Sequence, residues 1–179
     1  MTEASWTKGF YMVTKFDNKD LLNSQYLECG PVFSKMVGKD PNVLMNSRLY
    51  SVIPDVPQVM DLLSHFSTVF YSTFDMFSNT PCVRSRAMGV YKTSKEGKIF
   101  GAVSESFIFL KEDGTADFSF SYISSIEEID TMQAITHVSN PMVQFLKLDE
   151  DETQKLQEET QKVQQKRDKE GDNNENNQK

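Results

Sequence analysis

The sequence predicts an α+β domain in which N-terminal helices pack against a curved antiparallel sheet. Three observations point there. Asp113-Gly114 separates two segments, 98–110 and 115–124, in which apolar and polar residues alternate, and Asp-Gly supplies the positive φ values of a tight hairpin turn. Pro57 opens an apolar series, Val59, Leu62, Leu63 and Phe66, at helical spacing. Thirteen Phe and 38% hydrophobic content in 179 residues suffice for one sizeable core, not two.

Each element follows in chain order. Residues 6–16 read as a helix with Trp6, Phe10, Tyr11, Met12 and Val13, ending at the turn formers Asp17 and Asn18. A short helix over 19–27 carries Leu21, Leu22 and Tyr26 and stops at Gly30-Pro31. Residues 32–37 read as a short strand, 38–46 as a loop through Pro41, and 46–53 as extended chain before Pro54. After the helix over 57–66, four strands are predicted at 69–77, 82–93, 98–110 and 115–124. Short turns around Pro81, Gly97 and Gly114 join them, so they form an antiparallel meander.

Alternation sorts the strand residues by face. Phe118, Phe120 and Tyr122 share one face of the last strand, with Asp117, Ser119 and Ser121 on the other. In the preceding strand Ile99, Val103, Phe107 and Phe109 oppose Ser104 and Ser106. The aromatic face is expected beneath the helices, and the small polar face is left for solvent or a partner.

Three divisions are expected: a domain over 1–125, an appended helical segment over 126–148 and a polar tail over 149–179. The middle segment spaces Ile126, Ile129, Met132 and Ile135 as an amphipathic helix, which Pro141 interrupts. The tail has no aromatic residue, and its closing run of Asp, Asn, Glu and Gln has a composition that favours disorder or a frayed helix.

Composition excludes several function classes. A formal charge of −7 argues against general nucleic-acid binding, which needs Lys and Arg in excess. Apolar stretches fall short of the roughly 20 residues that span a membrane. Cys29 and Cys82 are far apart, without a CxxC spacing, which fits a reducing compartment. His65 and His137 are the only histidines, and no metal-ligating, nucleophile or phosphate-loop motif accompanies them. No catalytic, cofactor-binding or metal-binding residue is therefore predicted. The alternative is a small-molecule enzyme or ligand carrier in which His65 or Asp75 sits in the mouth of a conical pocket.

The order helix, short helix, strand, helix, long meander is similar to that of the nuclear transport factor 2-like fold. Several segments carry a narrower resemblance: FYMVTKFDNKDLLNSQY from Phe10, Val32-Phe33-Ser34, Asn46-Ser47-Arg48, GVYKTSKEGK from Gly89 and SESFIFLKEDG from Ser104. Together they resemble the corresponding domain of the nuclear RNA export factor (TAP-like) family across about 10–124. Leu49 departs from the family's second Asn, and an Asn-Asp pair expected in the last strand is absent. The resemblance implies a non-catalytic scaffold for mRNA export or a related nuclear RNA pathway. It would lie in the nucleus, shuttle through the nuclear pore, and heterodimerise with a small nuclear transport factor 2-related protein, with nucleoporins as further partners. No nucleic acid would bind this segment directly. The expected partner face comprises Arg84, Arg86, Met88, Ser104, Ser106 and Ile108, with an arginine paired to a partner carboxylate and Met88 and Ile108 as its apolar centre.

Overall fold

A computed structural model describes residues 9–77, 80–93, 96–139 and 144–147; the tail over 149–179 lies outside the described residues, as does Trp6. The chain begins with strand β1 (Tyr11–Lys15), a 3-10 turn (Leu21–Asn23) and strand β2 (Gln25–Cys29). Helices α1 (Pro31–Val37) and α2 (Pro41–Leu44), a second 3-10 turn (Leu49–Val52) and the long helix α3 (Pro57–Thr73) follow. Another 3-10 turn (Phe74–Phe77) leads into β3 (Cys82–Lys92), β4 (Ile99–Leu110) and β5 (Ala116–Ile129). Helix α4 (Thr131–Ser139) and strand β6 (Gln144–Lys147) complete the order.

All six strands form one antiparallel sheet in the order β2-β1-β5-β4-β3-β6. This corrects the expected cone with N-terminal helices. The segment predicted as the first helix contains a strand that bonds to neighbours on both sides, β2 and β5. Helices instead fill the crossover between β2 and β3. Residues 32–37, expected to be extended, are helical because Pro31 opens the first turn of α1 and Gly38, at φ 68°, closes it. The predicted helix over 19–27 shrinks to one 3-10 turn, whose Leu22 amide donates to the Asp20 carboxylate.

Helix α3 is longer than predicted and replaces the strand expected over 69–77. Phe66, Phe70 and Phe74 succeed one another at four-residue intervals, which continues the helical stripe begun at Val59. Their rings meet edge to face or tilted, with centroids 5.7 Å apart for Phe66–Phe70 and 4.9 Å for Phe70–Phe74. The other three predicted strands are present as β3, β4 and β5. Gly114, at φ 82°, makes the turn between β4 and β5, where the left-handed conformation requires glycine.

Strand β5 runs to Ile129, past the expected boundary at 125, while β6 pairs with β3. The end of β5, α4 and β6 therefore belong with the sheet domain, and among the described residues after 125 the helical part is α4. Ala134 and Val138 of α4 join Val59, Val90 and Ile129 in one core cluster. A Cβ at Gly101 would stand 2.9 Å from His137 Nε2, so glycine is what admits the imidazole here. A second cluster centres on Phe33 and Val37 of α1 with Tyr26, Tyr91 and Ile123, and a third on Phe70, Phe74 and Ile108.

The outer edge of β2 is occupied by the chain that follows α2. Asn46 N donates to Tyr26 O at 2.7 Å, and Tyr26 N donates to Ser47 O at 2.9 Å. Asn46 adopts φ 66° to make this return.

Candidate functional site

The sheet presents its serines, not its aromatic residues, to α3. Register puts Ser85, Ser106, Ser121 and Met12 in one row across four strands, and Val83, Ile108, Ser119 and Thr14 in the next. Ile108 clusters with Phe70 and Phe74, which fixes this face as the one beneath α3. Phe107, Phe109, Phe118, Phe120 and Tyr122 alternate onto the opposite face, so the predicted assignment of faces is reversed. Period two shows which residues share a face; it does not show which face receives the helix.

Small side chains under a large-residue helix leave a cavity of about 160 Å³. Leu63, Phe66 and Phe70 of α3 and Leu21 and Leu22 of the first 3-10 turn line one side. Thr14, Ser85, Ser104, Ser106, Ser119 and Ser121 line the sheet side. Among the described residues that line it there is no Asp, Glu, Lys, Arg or His. Tyr26 and Tyr91 also contribute; burial drives both phenols upward, Tyr91 to about 12, so each stays neutral.

The hydroxyls fall into two groups. Ser106 and Ser121 are bonded at 2.7 Å, with Ser119 3.5 Å from Ser121, which links the hydroxyls in the middle of the floor. Ser104 donates to Ala87 O at 3.4 Å. Thr14 and Ser85, at the two ends of the floor on β1 and β3, are each 4% exposed; the buried side-chain polar atom left without a partner among the described residues is Ser34 Oγ, on α1.

The residues predicted as one partner surface divide between the two faces of the sheet. Ser104, Ser106 and Ile108 face the α3 side, whereas Arg84 and Arg86, at intervening register positions with Met88, face the other. Arg84 bonds within the chain, to Glu105 Oε2 at 2.5 Å, and Tyr122 donates to the same oxygen at 2.7 Å. Burial alone would raise the Glu105 carboxyl, but these two hydrogen bonds hold it below the usual glutamate range. Arg86 is exposed and Met88 half-buried. His65 is exposed on α3 and does not line the cavity; the Asp75 side chain lies outside the described residues.

Sequence reasoning named Ser104 and Ser106 as site residues but missed Thr14, Ser85, Ser119 and Ser121 as their companions. The available signal was the recurrence of small hydroxyl residues at period two on neighbouring strands. A second hollow of about 180 Å³ is lined by Met88, Val103, Ser125, Glu127 and His137, among others. There His137 Nδ1 lies 3.0 Å from Gln133 O, and Nε2 lies 3.8 Å from Glu127. Its imidazole is engaged with its own helix.

No family model matches the chain, and no curated protein does either. Solved structures similar to it include a light-oxygen-voltage domain, with 7% identity, TM-score 0.43, and coverage of 73% of this chain and 84% of that one. The light state of the Aureochrome1 light-oxygen-voltage domain shows 8% identity and TM-score 0.43, covering 74% of this chain and 91% of that one. The PAS domain of an HTR-like protein from Haloarcula marismortui shows 13% identity and TM-score 0.40, covering 72% and 84%. The resemblance to a nuclear RNA export factor is overturned by the fold itself: the first helix it placed contains strand β1, and the second is a 3-10 turn followed by strand β2. The mRNA-export reading rested on that resemblance, and nothing in the fold supports it.

Proposed function

We propose that this domain is a non-catalytic binding module that takes a small uncharged molecule into the cavity between α3 and the serine-bearing face of the sheet. The observation that carries this reading is the lining: apolar on the helix side, hydroxyl-bearing on the sheet side, and without a charged group among the described residues. A charged guest would lose its hydration without meeting a counter-ion, whereas an uncharged one gains apolar contact and keeps hydrogen bonds. The size is apt for a small guest, since an apolar cavity of about 150 Å³ accepts benzene. Binding is favoured over catalysis because the lining offers no general base and no activated nucleophile.

Thermal unfolding and calorimetric titration with benzene, phenol and indole, each beside the charged analogues benzoate and benzylammonium, test this reading. Uncharged members are expected to raise the melting midpoint and the charged ones to leave it unchanged. Ala87→Leu, which adds volume to the lining, should abolish the shift while keeping the fold. Equal responses to charged and uncharged members, or binding that survives Ala87→Leu, would place the guest elsewhere.

A further inference from the structure

We infer that the hollow which His137 of α4 shares with β3, β4 and β5 is a docking site for an extended segment of another protein, one in which an aliphatic side chain stands next to a lysine or arginine. Met88, Val103 and Ser125 lie in one register row across the three strands, and the next row on that face joins Gly101 to Glu127. Met88, Val103 and Ile126 give the hollow apolar walls, and its volume of about 180 Å³ has room for one aliphatic side chain, since an apolar cavity of about 150 Å³ accepts benzene. Ile126 is 37% exposed at the rim. A free small molecule seated there would keep one side in water, whereas pockets for small ligands enclose most of their guest. A chain that runs on past the hollow adds contact beyond it.

Charge complementarity supplies the second half of the recognition. Glu127 and Glu128 are adjacent on β5, but they are placed differently. Glu128 already holds Lys98 at 3.1 Å, and Lys98 also lies 3.6 Å from Glu96. The Glu127 side chain is 70% exposed, and among the described residues no lysine or arginine pairs with it; its neighbour is His137 Nε2 at 3.8 Å. With Nδ1–H donating to Gln133 O, Nε2 is left as an acceptor beside that carboxylate. Arg86 stands on the same face opposite Glu105 and does not line the hollow. The hollow thus presents two neighbouring acceptors, one of them anionic, and no cation. An ammonium has three N–H groups and a guanidinium five, so either can bond both acceptors at once.

The experiment is a nuclear magnetic resonance titration of the full, isotope-labelled chain, following the amides of Gly101 and Ser125, which line this hollow and not the serine-floored cavity. The probes are capped glycine-serine octapeptides with leucine-arginine, leucine-glutamate or serine-arginine at the centre, and n-butylammonium. The leucine-arginine peptide is expected to shift both amides, and the other two peptides to bind about fivefold more weakly. Glu127→Gln should cost the leucine-arginine peptide about fivefold and erase its advantage over leucine-glutamate. Glu128→Gln, which removes the same charge from the neighbour that already holds Lys98, should leave its affinity within about twofold. Ile126→Ser should weaken the leucine-arginine peptide and not the serine-arginine one. Glu127 and Ile126 are exposed, so these variants are expected to keep the wild-type melting midpoint. Equal losses in Glu127→Gln and Glu128→Gln would show that the peptide follows the net charge of the chain, and the docking site would be wrong. It would be equally wrong if neither amide responds, or if n-butylammonium binds as tightly as the leucine-arginine peptide. The uncharged-guest reading of the other cavity is tested separately, by Ala87→Leu.

Discussion

The two faces of the central sheet solve opposite problems with the same strands. On the α3 side, Ser85, Ser106, Ser119 and Ser121 are too short to meet Phe66 and Phe70, and a cavity remains. On the other side Phe109 and Phe118 stack at 4.6 Å and Tyr11 and Phe120 at 5.7 Å, while Glu105 ties Arg84 to Tyr122. Phe107 and Phe109 are each 4% exposed, so the aromatic side is a filled layer. The contrast teaches that hydrophobic strength does not select the face a helix covers. The face richer in aromatic residues stacks its rings on one another and leaves Phe118 and Phe120 half-buried, whereas the poorer one is roofed by α3 and keeps room inside.

Substitutions on the two faces sharpen or break that contrast. The largest effect is expected from Phe107→Ala, which removes a buried ring from the filled layer and should cost about 3–5 kcal/mol in chemical denaturation. A loss below about 1 kcal/mol would show that the aromatic layer is loosely filled and that the contrast fails. Ser121→Ala should cost about 1 kcal/mol, because Ser106 then loses its 2.7 Å partner.

Glu105→Gln tests the polar end of the filled layer. Because its carboxyl is depressed in the folded state, it contributes stability above the ordinary glutamate range, and this is lost as pH falls through the folded value. With Arg84 partly exposed, the cost near neutral pH should be about 1 kcal/mol and should vanish in acid. A difference that is constant across the pH range would mean that shape, not charge, is what Glu105 provides. The smallest effect is expected from Ser85→Ala: with no protein partner to lose, stability without ligand should change by less than about 0.5 kcal/mol. A substantial loss there would reveal a protein partner for the Ser85 hydroxyl.

Much of the sheet was legible in the sequence, and most of the first half was not. Asp113-Gly114 and the alternation around it locate β4 and β5, because a tight turn and period two are both local signals. Pro57 locates the start of α3 for the same reason. By contrast, Tyr11–Lys15 is a strand because β2 and β5 bond to it from either side, and those partners are distant in sequence. The segment 69–77 was misread because its aromatic and β-branched residues suit a strand, although Phe66, Phe70 and Phe74 also keep helical spacing. For the site, Ser104 and Ser106 were visible as a small polar pair, but their role depended on which face α3 covers. That choice is made by tertiary packing and leaves no trace in alternation.

The return of the chain at Asn46 has a further consequence for behaviour in crowded solution. A bare edge strand offers its amides and carbonyls as a template on which another chain can add. Here both polar groups of Tyr26's backbone are already engaged, by Asn46 N and Ser47 O. This selvage of the sheet is hemmed by its own thread, so self-templated fibre growth from β2 would first have to unpick it.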